Sequence, residues 1–414
     1  MTRRRLDVIA EARHPAYVVW ELTLRCDHAC AHCGSRAGVA RDGELSTAEA
    51  LRVVEELAQL ETREVVLIGG EAYLHEGFLA IARALRDRSI AVAVTTGGRG
   101  VTPALAIAMK DAGVERVSVS IDGLEDAHDA IRARRGSFAG ALAAIDAIRG
   151  AGLGVAANTN VNRRNRDDLE ALYVVLRERG VRAWQIQLTA PLGRAADRTD
   201  MILQPYDLLA LVPRIVALKA RAAADGVTIM PGNNLGYFGP EETTLRSPSG
   251  GKDHWRGCQA GRFVMGIESD GGVKGCPSLQ RAYVRGSVRD RSIAELWAPP
   301  EKTRWGFCAT CDFGPICDGG CTFTAHAIMG RPGNNPYCHY RARTLAARGL
   351  RERLLPRGAA PGEPFDCAPF DLIEEPLDAP EPIVARERLV RITRSSARAP
   401  RALPASDPAA RYRP

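Results

Sequence analysis

Three cysteines near the amino terminus have a spacing that suits a metal centre. Cys26, Cys30 and Cys33 form a CxxxCxxC motif. Three thiolates suit an iron–sulfur cluster, and they leave one iron of a cubane without a protein ligand, so a small molecule can bind it. A structural zinc site is the alternative, but zinc sites favour CxxC pairs and four ligands. The spacing therefore favours a cluster with one open iron.

A second group of cysteines lies in a segment with little apolar periodicity. Its members are Cys258, Cys276, Cys308, Cys311, Cys317, Cys321 and Cys338, with Gly271 between the first two. Such a segment is typical of a domain organised by metal rather than by an apolar core. Disulfides are not expected, because the chain shows no export signal and cytosolic reductants keep thiols free. A pair of zinc knuckles would leave the seventh thiolate idle and would not account for the first motif.

Short apolar segments alternate with helical segments over the first half of the chain. The predicted strands are Val18–Leu22, Val65–Ile68, Ala91–Thr95, Arg116–Ile121, Val155–Asn160 and Trp184–Leu188. Six β–α units in sequence predict an α/β fold with a parallel, right-handed sheet and outer helices. Periodicity alone leaves a partial (β/α)6 barrel and an open sheet as alternatives. The CxxxCxxC motif follows the first strand, at the strand end where such folds bind ligands.

Glycines and polar residues lie at the ends of the later strands. They are Gly69, Gly70 and Glu71 after the second strand, Thr95 at the third, Ser120 and Asp122 at the fourth, Asn158 and Asn160 on the fifth, and Gln187 on the sixth. An inward-facing polar side chain in an apolar strand is costly unless it binds a ligand or a partner group. The alternative is that these side chains satisfy backbone groups of the barrel or of helix ends.

The CxxxCxxC motif and the strand before it resemble the radical S-adenosylmethionine (SAM) superfamily, over about residues 17–190. The resemblance implies that the open iron chelates the methionine end of SAM, and that one electron then cleaves SAM to methionine and a 5′-deoxyadenosyl radical. It implies SAM contacts for Gly69, Gly70, Glu71, Ser120 and Asp122, and a place for His32 beside the adenine. Thr95, Asn158 and Gln187 are expected to line the same pocket because they are polar residues on or at the ends of the later strands. A solvent-facing His32 is the alternative. Ala72 departs from the proline usual in the family.

The seven later cysteines resemble, cysteine for cysteine, the SPASM domain, over about residues 255–340. The resemblance implies that Cys308, Cys311, Cys317 and Cys338 hold one auxiliary [4Fe–4S] cluster, while Cys258, Cys276 and Cys321 hold three irons of another. Three [4Fe–4S] clusters are therefore expected in total. No cysteine shortly precedes Cys258, so the fourth site of that cluster is open or filled by another ligand, and Asp253 and His254 are the nearby candidates.

The predicted organisation has six parts. They are an N-terminal extension (1–16), a radical SAM partial barrel (17–225), a connector (226–257), a SPASM domain (258–340), a closing helix (341–355) and a disordered tail rich in proline and arginine (356–414). Cys367 lies in that tail and is expected to have no cluster role.

Enzymes with both modules mostly modify ribosomally made precursor peptides, so a peptide maturase forming crosslinks or thioethers, or excising residues, is the leading hypothesis. Its expected partners are the precursor peptide and a reductant such as a flavodoxin or ferredoxin. Only about sixteen residues precede the first strand, so leader recognition would need a separate leader-binding protein, the SPASM surface or the tail. The alternatives are a SPASM enzyme acting on a small molecule or cofactor precursor, and a non-catalytic zinc protein that binds nucleic acid.

Charge and hydropathy narrow these classes. The net charge is +7, but the segment from Arg386 to Arg413 holds eight arginines against two acidic residues. Nearly all the excess therefore lies in the predicted tail, and a nucleic-acid partner is not expected. No run of eighteen apolar residues and no signal peptide are seen, so we expect a cytoplasmic protein without a membrane span.

Overall fold

The computed structural model describes residues 14–247 and 253–380, which form a mixed α/β fold. The strands are β1 Tyr17–Glu21, β2 Glu64–Ile68, β3 Ala91–Thr96, β4 Val114–Ser120, β5 Gly154–Val161, β6 Ala183–Leu188, β7 Thr228–Pro231, β8 Val264–Ile267, β9 Val273–Lys274, β10 Leu350–Pro356 and β11 Phe370–Pro376. The α-helices are α1 Thr47–Gln59, α2 Phe78–Asp87, α3 Pro103–Asp111, α4 Glu125–Arg132, α5 Ser137–Gly150, α6 Leu169–Glu178, α7 Leu208–Ala224, α8 Glu242–Arg246, α9 Ile293–Leu296, α10 Gly314–Cys317, α11 Thr322–Met329 and α12 His339–Ala346.

Nine strands form one sheet in the order β7-β6-β5-β4-β3-β2-β1-β8-β9. Neighbouring strands are parallel, except for the antiparallel pair β8 and β9. The six strands predicted from the sequence correspond to β1 through β6. Side chains from all six line one cavity, so the sheet curves around it as a partial barrel. In the described part of the chain, the end strands β7 and β9 do not pair with each other.

The helices cover the outside of this sheet through apolar faces. Helix α1 begins at the predicted capping box, in which the Ser46 hydroxyl accepts from the Glu49 amide and the Glu49 carboxylate accepts from the Ser46 amide. Its buried residues Val53, Val54 and Leu57 join one continuous core with residues of the strands. Burial of a stripe of this kind is the main source of helix stability in a globular protein.

The C-terminal cysteine-rich segment shares the sheet with the first half of the chain. Strand β8 pairs with β1 in parallel, from Tyr17 against Val264 to Trp20 against Ile267. At the ends of these two strands, Glu21 Oε1 accepts hydrogen bonds from Arg41 Nη2 at 2.9 Å and from the Ser269 hydroxyl at 3.1 Å. The sequence predicted neither this pairing nor β7, because these strands are short and their partners are distant along the chain.

The predicted closing helix and tail need correction. Helix α12 ends at Ala346, and Gly349 then adopts a left-handed backbone conformation with φ of 73°. Residues 350–356 form β10 rather than helix and pair antiparallel with β11. Residues 356–380, predicted to be disordered, therefore contain the second strand of a β-hairpin and the loop that joins its two strands. Residues 1–13, 248–252 and 381–414 lie outside the described residues, so the predictions for them stay predictions.

One stretch, Thr199–Ala224, is long and apolar enough to cross a membrane by length and composition. Half of its apolar window is buried inside the fold, as in the core helices of globular proteins, so it is weak evidence for a membrane span.

Candidate functional site

A cavity of about 490 Å³ opens at the carboxyl ends of the parallel strands. The predicted site residues that line it are Cys26, Cys30, His32, Cys33, Gly69, Gly70, Glu71, Thr95, Ser120, Asn158, Gln187, Cys258, Cys276 and Cys321. Asp122 lies directly behind the wall and is fully buried. Residues from both halves of the chain therefore contribute to one cavity.

The loop that carries Cys26, Cys30 and Cys33 is held against the end of β2 by backbone contacts. The Gly70 amide donates to the Thr23 carbonyl at 2.7 Å, and the Glu71 amide donates to the Arg25 carbonyl at 2.8 Å. A Cβ atom on Gly70 would lie 2.2 Å from the Arg25 carbonyl oxygen, and one on Gly69 would lie 2.3 Å from that of Thr23. Glycine is therefore required here because the backbone of the cysteine loop approaches so closely.

Glu71 is buried at the end of β2 and contacts the end of β3. Its carboxylate accepts hydrogen bonds from the Thr96 hydroxyl at 2.5 Å and from the Gly97 amide at 2.7 Å. Burial raises the pKa of Glu71 to about 8, with a further contribution from the Asp27 charge. The Glu71 carboxyl group also lies within 4.8 Å of potential ligand atoms of Cys26 and Asp27. It therefore shapes the floor of the cavity beside the first cysteine.

A buried ion-pair network stands behind the cysteine loop. Asp122 Oδ2 lies 2.7 Å from Arg132 Nη2 and 3.0 Å from His32 Nε2, and Arg132 Nη1 donates to Cys30 Sγ at 3.6 Å. Burial alone would raise the pKa of Asp122, but Arg132 and His32 hold it well below its usual range. His32 is therefore buried against a carboxylate, and the solvent-facing alternative is wrong.

Two neutral histidines flank this network. Burial lowers the pKa of His28 and of His128 to about 4. His128 Nδ1 accepts a hydrogen bond from the Asp122 amide at 3.0 Å, so it fixes the turn that follows β4.

The thiols of the first motif fit the cluster that the sequence predicts. All three line the same cavity, and burial raises the pKa of Cys26 and of Cys30. A coordinated metal reverses this effect, since a coordinating thiol loses its proton outright. The Arg132 guanidinium beside Cys30 is placed to stabilise the resulting negative charge, and its Nε atom has no hydrogen-bond partner in the described structure.

The fifth and sixth strands present a row of amides to the cavity. Asn158 pairs in register with Gln185, and Asn160 pairs with Gln187. Gln187 Nε2 donates to Asn160 Oδ1 at 3.0 Å, so part of this row is satisfied within the protein. Internal pairing therefore holds for these two atoms, and ligand binding by the row of amides stays a prediction.

The seven later cysteines fall into two spatial groups. Cys258, Cys276 and Cys321 line the shared cavity together with the first motif, although they lie more than two hundred residues after it in the chain. Cys308, Cys311, Cys317 and Cys338 surround a separate, small pocket whose other walls are Phe238, Phe307, Phe313 and Tyr340. This grouping coincides with the predicted ligand sets, and ligation itself stays a prediction. Asp253 and His254 do not line the cavity, and His254 Nδ1 lies 2.9 Å from the Trp255 carbonyl oxygen.

Three cavity residues with a clear role in its charge or shape were not predicted from the sequence. Arg132 sits one helical turn after His128 on α4, and a charged residue on the buried face of a helix was the available signal. Lys274 is 1 % exposed, and its ammonium donates to Glu268 Oε1 at 2.8 Å and to the Leu279 carbonyl at 2.7 Å. Phe365 reaches the cavity from the segment predicted to be disordered, and no local signal indicated it.

Comparison with protein families agrees with this architecture. Residues 20–175 match the model of the Radical SAM superfamily, and residues 258–322 match that of SPASM, an iron-sulfur cluster-binding domain.

Two curated relatives have similar lengths and different names. The chain is 29% identical over 352 residues to an AdoMet-dependent heme synthase of Methanosarcina barkeri, covering 81% of this chain and 99% of the relative. It is 29% identical over 358 residues to the mycofactocin maturase MftC of Mycobacterium ulcerans, covering 83% of this chain and 92% of the relative.

Two solved structures share the fold. Streptococcus suis SuiB bound to the precursor peptide SuiA aligns with a TM-score of 0.61 and 13% identity, over 78% of this chain and 75% of that one. The structure of native anSMEcpe with bound AdoMet aligns with a TM-score of 0.63 and 18% identity, over 79% of this chain and 95% of that one.

Proposed function

Because the chain is a radical SAM enzyme with a C-terminal SPASM domain, we propose that it cleaves SAM reductively and uses the radical to oxidise a small-molecule cofactor precursor. The observation that carries this proposal is the single cavity lined by Cys26, Cys30 and Cys33 on one side and by Cys258, Cys276 and Cys321 on the other. A substrate in that cavity lies within reach of both cysteine sets.

The residues of the first half would bind and orient SAM. Cys26, Cys30 and Cys33 would hold a [4Fe–4S] cluster, and the cluster and SAM together supply a 5′-deoxyadenosyl radical that abstracts hydrogen from the substrate. The buried Arg132 is the cation best placed for the carboxylate of SAM, since its Nε atom has no hydrogen-bond partner in the described structure. Gly69, Gly70 and Glu71 would place the amino group. Thr95, Ser120, Asn158 and Gln187 line the remaining wall.

The cysteines of the second half would hold the auxiliary clusters. Cys258, Cys276 and Cys321 would hold one at the cavity, and it would supply either a site for the electron that substrate oxidation releases or a binding position for substrate. Cys308, Cys311, Cys317 and Cys338 would hold a second auxiliary cluster outside the cavity, for three clusters in total. A flavodoxin or ferredoxin would supply the reducing electron.

Support for a small-molecule substrate comes from the relatives and from the cavity. The AdoMet-dependent heme synthase aligns over 99% of its own length, and a pre-heme d1 synthase of Dinoroseobacter shibae aligns over 88% of its own. The cavity volume of about 490 Å³ also lies within the range of about 300–1,000 Å³ that small-molecule pockets occupy.

A precursor peptide is the second candidate substrate. The mycofactocin maturases are as similar in sequence as the heme synthases, and SuiB bound to its precursor peptide shares the fold. The row formed by Asn158, Asn160, Gln185 and Gln187 offers hydrogen bonds of the kind that peptide amides accept and donate.

The test is to reconstitute the protein anaerobically, reduce it with dithionite and add SAM. We expect 5′-deoxyadenosine, and about twelve irons per chain if all three sets bind. Porphyrin precursors and short peptides encoded beside the gene are then added in parallel, and their masses are followed. A mass change in a porphyrin precursor supports the first substrate class, and one in a peptide supports the second. Iron-loaded protein that forms no 5′-deoxyadenosine would refute the proposal.

A further inference from the structure

The loop at the end of the C-terminal hairpin returns to the active-site cavity. We call residues Glu363–Cys367 the return segment. It lies beyond both segments matched by the family models, which end at residues 175 and 322. Its hydrogen bonds to other parts of the chain are with the loop that carries the first cysteine motif and with the loop after β6.

Arg36 anchors the return segment to the cysteine loop. Its guanidinium donates to Asp366 Oδ1 at 3.0 Å, to Asp366 Oδ2 at 3.2 Å and to the Glu363 carbonyl at 3.2 Å. The Asp366 side chain is only 6% exposed, so this ion pair is shielded from solvent and screening. Arg36 follows Cys33 by three residues, which ties the return segment directly to the predicted cluster site.

Backbone hydrogen bonds fix the same segment from two sides. The Phe365 amide donates to the Gly34 carbonyl at 2.9 Å, and the Gly193 amide donates to the Asp366 carbonyl at 2.8 Å. Cys367 forms an antiparallel bridge with Leu192. Gly34 is the residue next to Cys33, so the backbone of Phe365 lies beside the first cysteine set.

The side chain of Phe365 reaches toward the second cysteine set. The Lys274 ammonium lies 3.7 Å from the centre of the Phe365 ring, in cation–π contact. Lys274 precedes Cys276 by two residues in the chain. Phe365 therefore contacts one residue beside each cysteine set, and its ring forms part of the wall between them, with Leu192 and Phe323 as apolar neighbours.

Phe365 holds this position in a strained backbone conformation. Its φ is 59°, in the left-handed region that a residue with a bulky side chain rarely adopts. The Arg36 ion pairs and the backbone hydrogen bonds are the contacts that maintain it. Strain of this kind persists only where the surroundings over-determine the conformation.

We propose that Phe365 is a substrate-positioning residue that closes the cavity between the two cysteine sets and presents an apolar face to the substrate. This inference rests on the proposed function, since it concerns where the substrate of that reaction lies. A radical that abstracts hydrogen from strong C–H bonds must be kept from thiols and organic buffer molecules, so the wall should couple SAM cleavage to substrate oxidation.

The test compares Phe365→Ala with the unchanged protein under dithionite, with SAM as the only added ligand, in D₂O buffer that contains dithiothreitol. The thiols of dithiothreitol exchange to S–D, and these bonds are weak enough to quench the radical, whereas the O–D bonds of D₂O are not. We expect several-fold more 5′-deoxyadenosine formed without substrate, and more deuterium in it, because the cavity is opened to the thiol. Phe365→Leu, which keeps an apolar side chain, should fall between the two. Iron content and the spectrum of the reduced clusters should stay unchanged.

Leu372→Ala is the matched control, because Leu372 packs on the core from the same hairpin and does not line the cavity. It should behave as the unchanged protein does. Asp366→Asn, which weakens the anchor, should reproduce part of the Phe365→Ala effect and serves if that variant does not fold. Equal substrate-free turnover and deuterium content in all iron-loaded variants would overturn the inference. That result differs from failure of the proposed function, in which the unchanged protein forms no 5′-deoxyadenosine.

Discussion

The two pockets that hold the later cysteines differ in their walls and in their openness. Cys258, Cys276 and Cys321 share a large cavity with amides, carboxylates and the first cysteine motif. Cys308, Cys311, Cys317 and Cys338 surround a small pocket closed by aromatic rings, two of which, Phe238 and Phe313, stack at 4.3 Å. Three thiols in an open cavity leave room for an exogenous ligand, whereas four thiols among aromatic rings do not. We therefore expect the open cavity to be the reactive site and the closed pocket to be structural or electron-carrying.

The largest expected effect is on the stability of the protein when one cysteine of each pocket is replaced. A small apolar cluster of Tyr237, Trp255, Cys317 and Cys321 lies between the two pockets, and Phe238, Phe313 and Cys338 of the closed pocket pack against it. Because metal binding replaces a core in such a domain, Cys317→Ala should destabilise the cluster-loaded protein by several kcal/mol. Cys258→Ala should destabilise it less. Thermal unfolding of both reconstituted variants checks this ranking, and a larger loss for Cys258→Ala would contradict the comparison.

The next effect separates the two cysteine sets that share the open cavity. Cys30→Ala should abolish 5′-deoxyadenosine formation, because that set is predicted to bind SAM. Cys258→Ala should lose about four irons and still cleave SAM. Iron analysis and 5′-deoxyadenosine quantification are the measurements. If Cys258→Ala cleaved no SAM while the other clusters were intact, the two sets would not have separate roles.

A smaller effect concerns the cation behind the first motif. Arg132→Gln removes one partner of a buried ion pair with Asp122, so SAM should bind at least about tenfold more weakly. Arg132→Lys keeps the charge and should bind SAM more tightly than Arg132→Gln does. Titration of SAM into reconstituted protein gives both dissociation constants. Unchanged affinity in Arg132→Gln would assign Arg132 a purely structural role.

The smallest expected effect is a pH dependence of the free energy of unfolding, caused by the buried His128 beside Asp122. The pKa of His128 is lowered by burial to about 4, so between about pH 6.5 and pH 4 the unfolded chain binds a proton at His128 that the folded chain does not. The free energy of unfolding should therefore fall as the pH falls through this range, by up to about 3 kcal/mol from this residue. His128→Gln should show a shallower decline in urea unfolding at pH 6.5, 5.5 and 4.5. Parallel declines in the two proteins would show that His128 does not carry the effect.

The strands that form the cavity wall, β1 through β6, were largely predictable from the sequence. Strand β8 and the β10–β11 hairpin, which complete the structure around them, were not. Strands β1 through β6 are short, mostly apolar segments that follow one another in order, so local pattern located them to within two residues. Strand β8 is four residues long and pairs with β1 across more than two hundred residues, which no local pattern indicates. Residues 350–355 resembled a helix, yet Gly349 ends α12 and β11 supplies a partner strand.

The cysteine sets and the charged wall illustrate the same limit. Spacing predicted how the seven later cysteines divide, because the motif itself carries that information. It did not predict Arg132 or Phe365, whose positions depend on how a helix and a distant loop pack against the cysteine loop. The proline-rich composition of the tail indicated disorder, but seven residues of it, Phe370–Pro376, pair with β10 over their full length.

The shared edge between β1 and β8 has a consequence for how the two cysteine sets keep their separation. Cys26 follows β1 by five residues, and Cys258 and Cys276 flank the β8–β9 pair. Because β1 and β8 are hydrogen-bonded side by side, the spacing of the two sets is set by strand register rather than by a hinge between mobile bodies. A shift of one residue along this edge would move one set by about 3.3 Å relative to the other, so the register of β1 and β8 fixes the distance between the two cysteine sets.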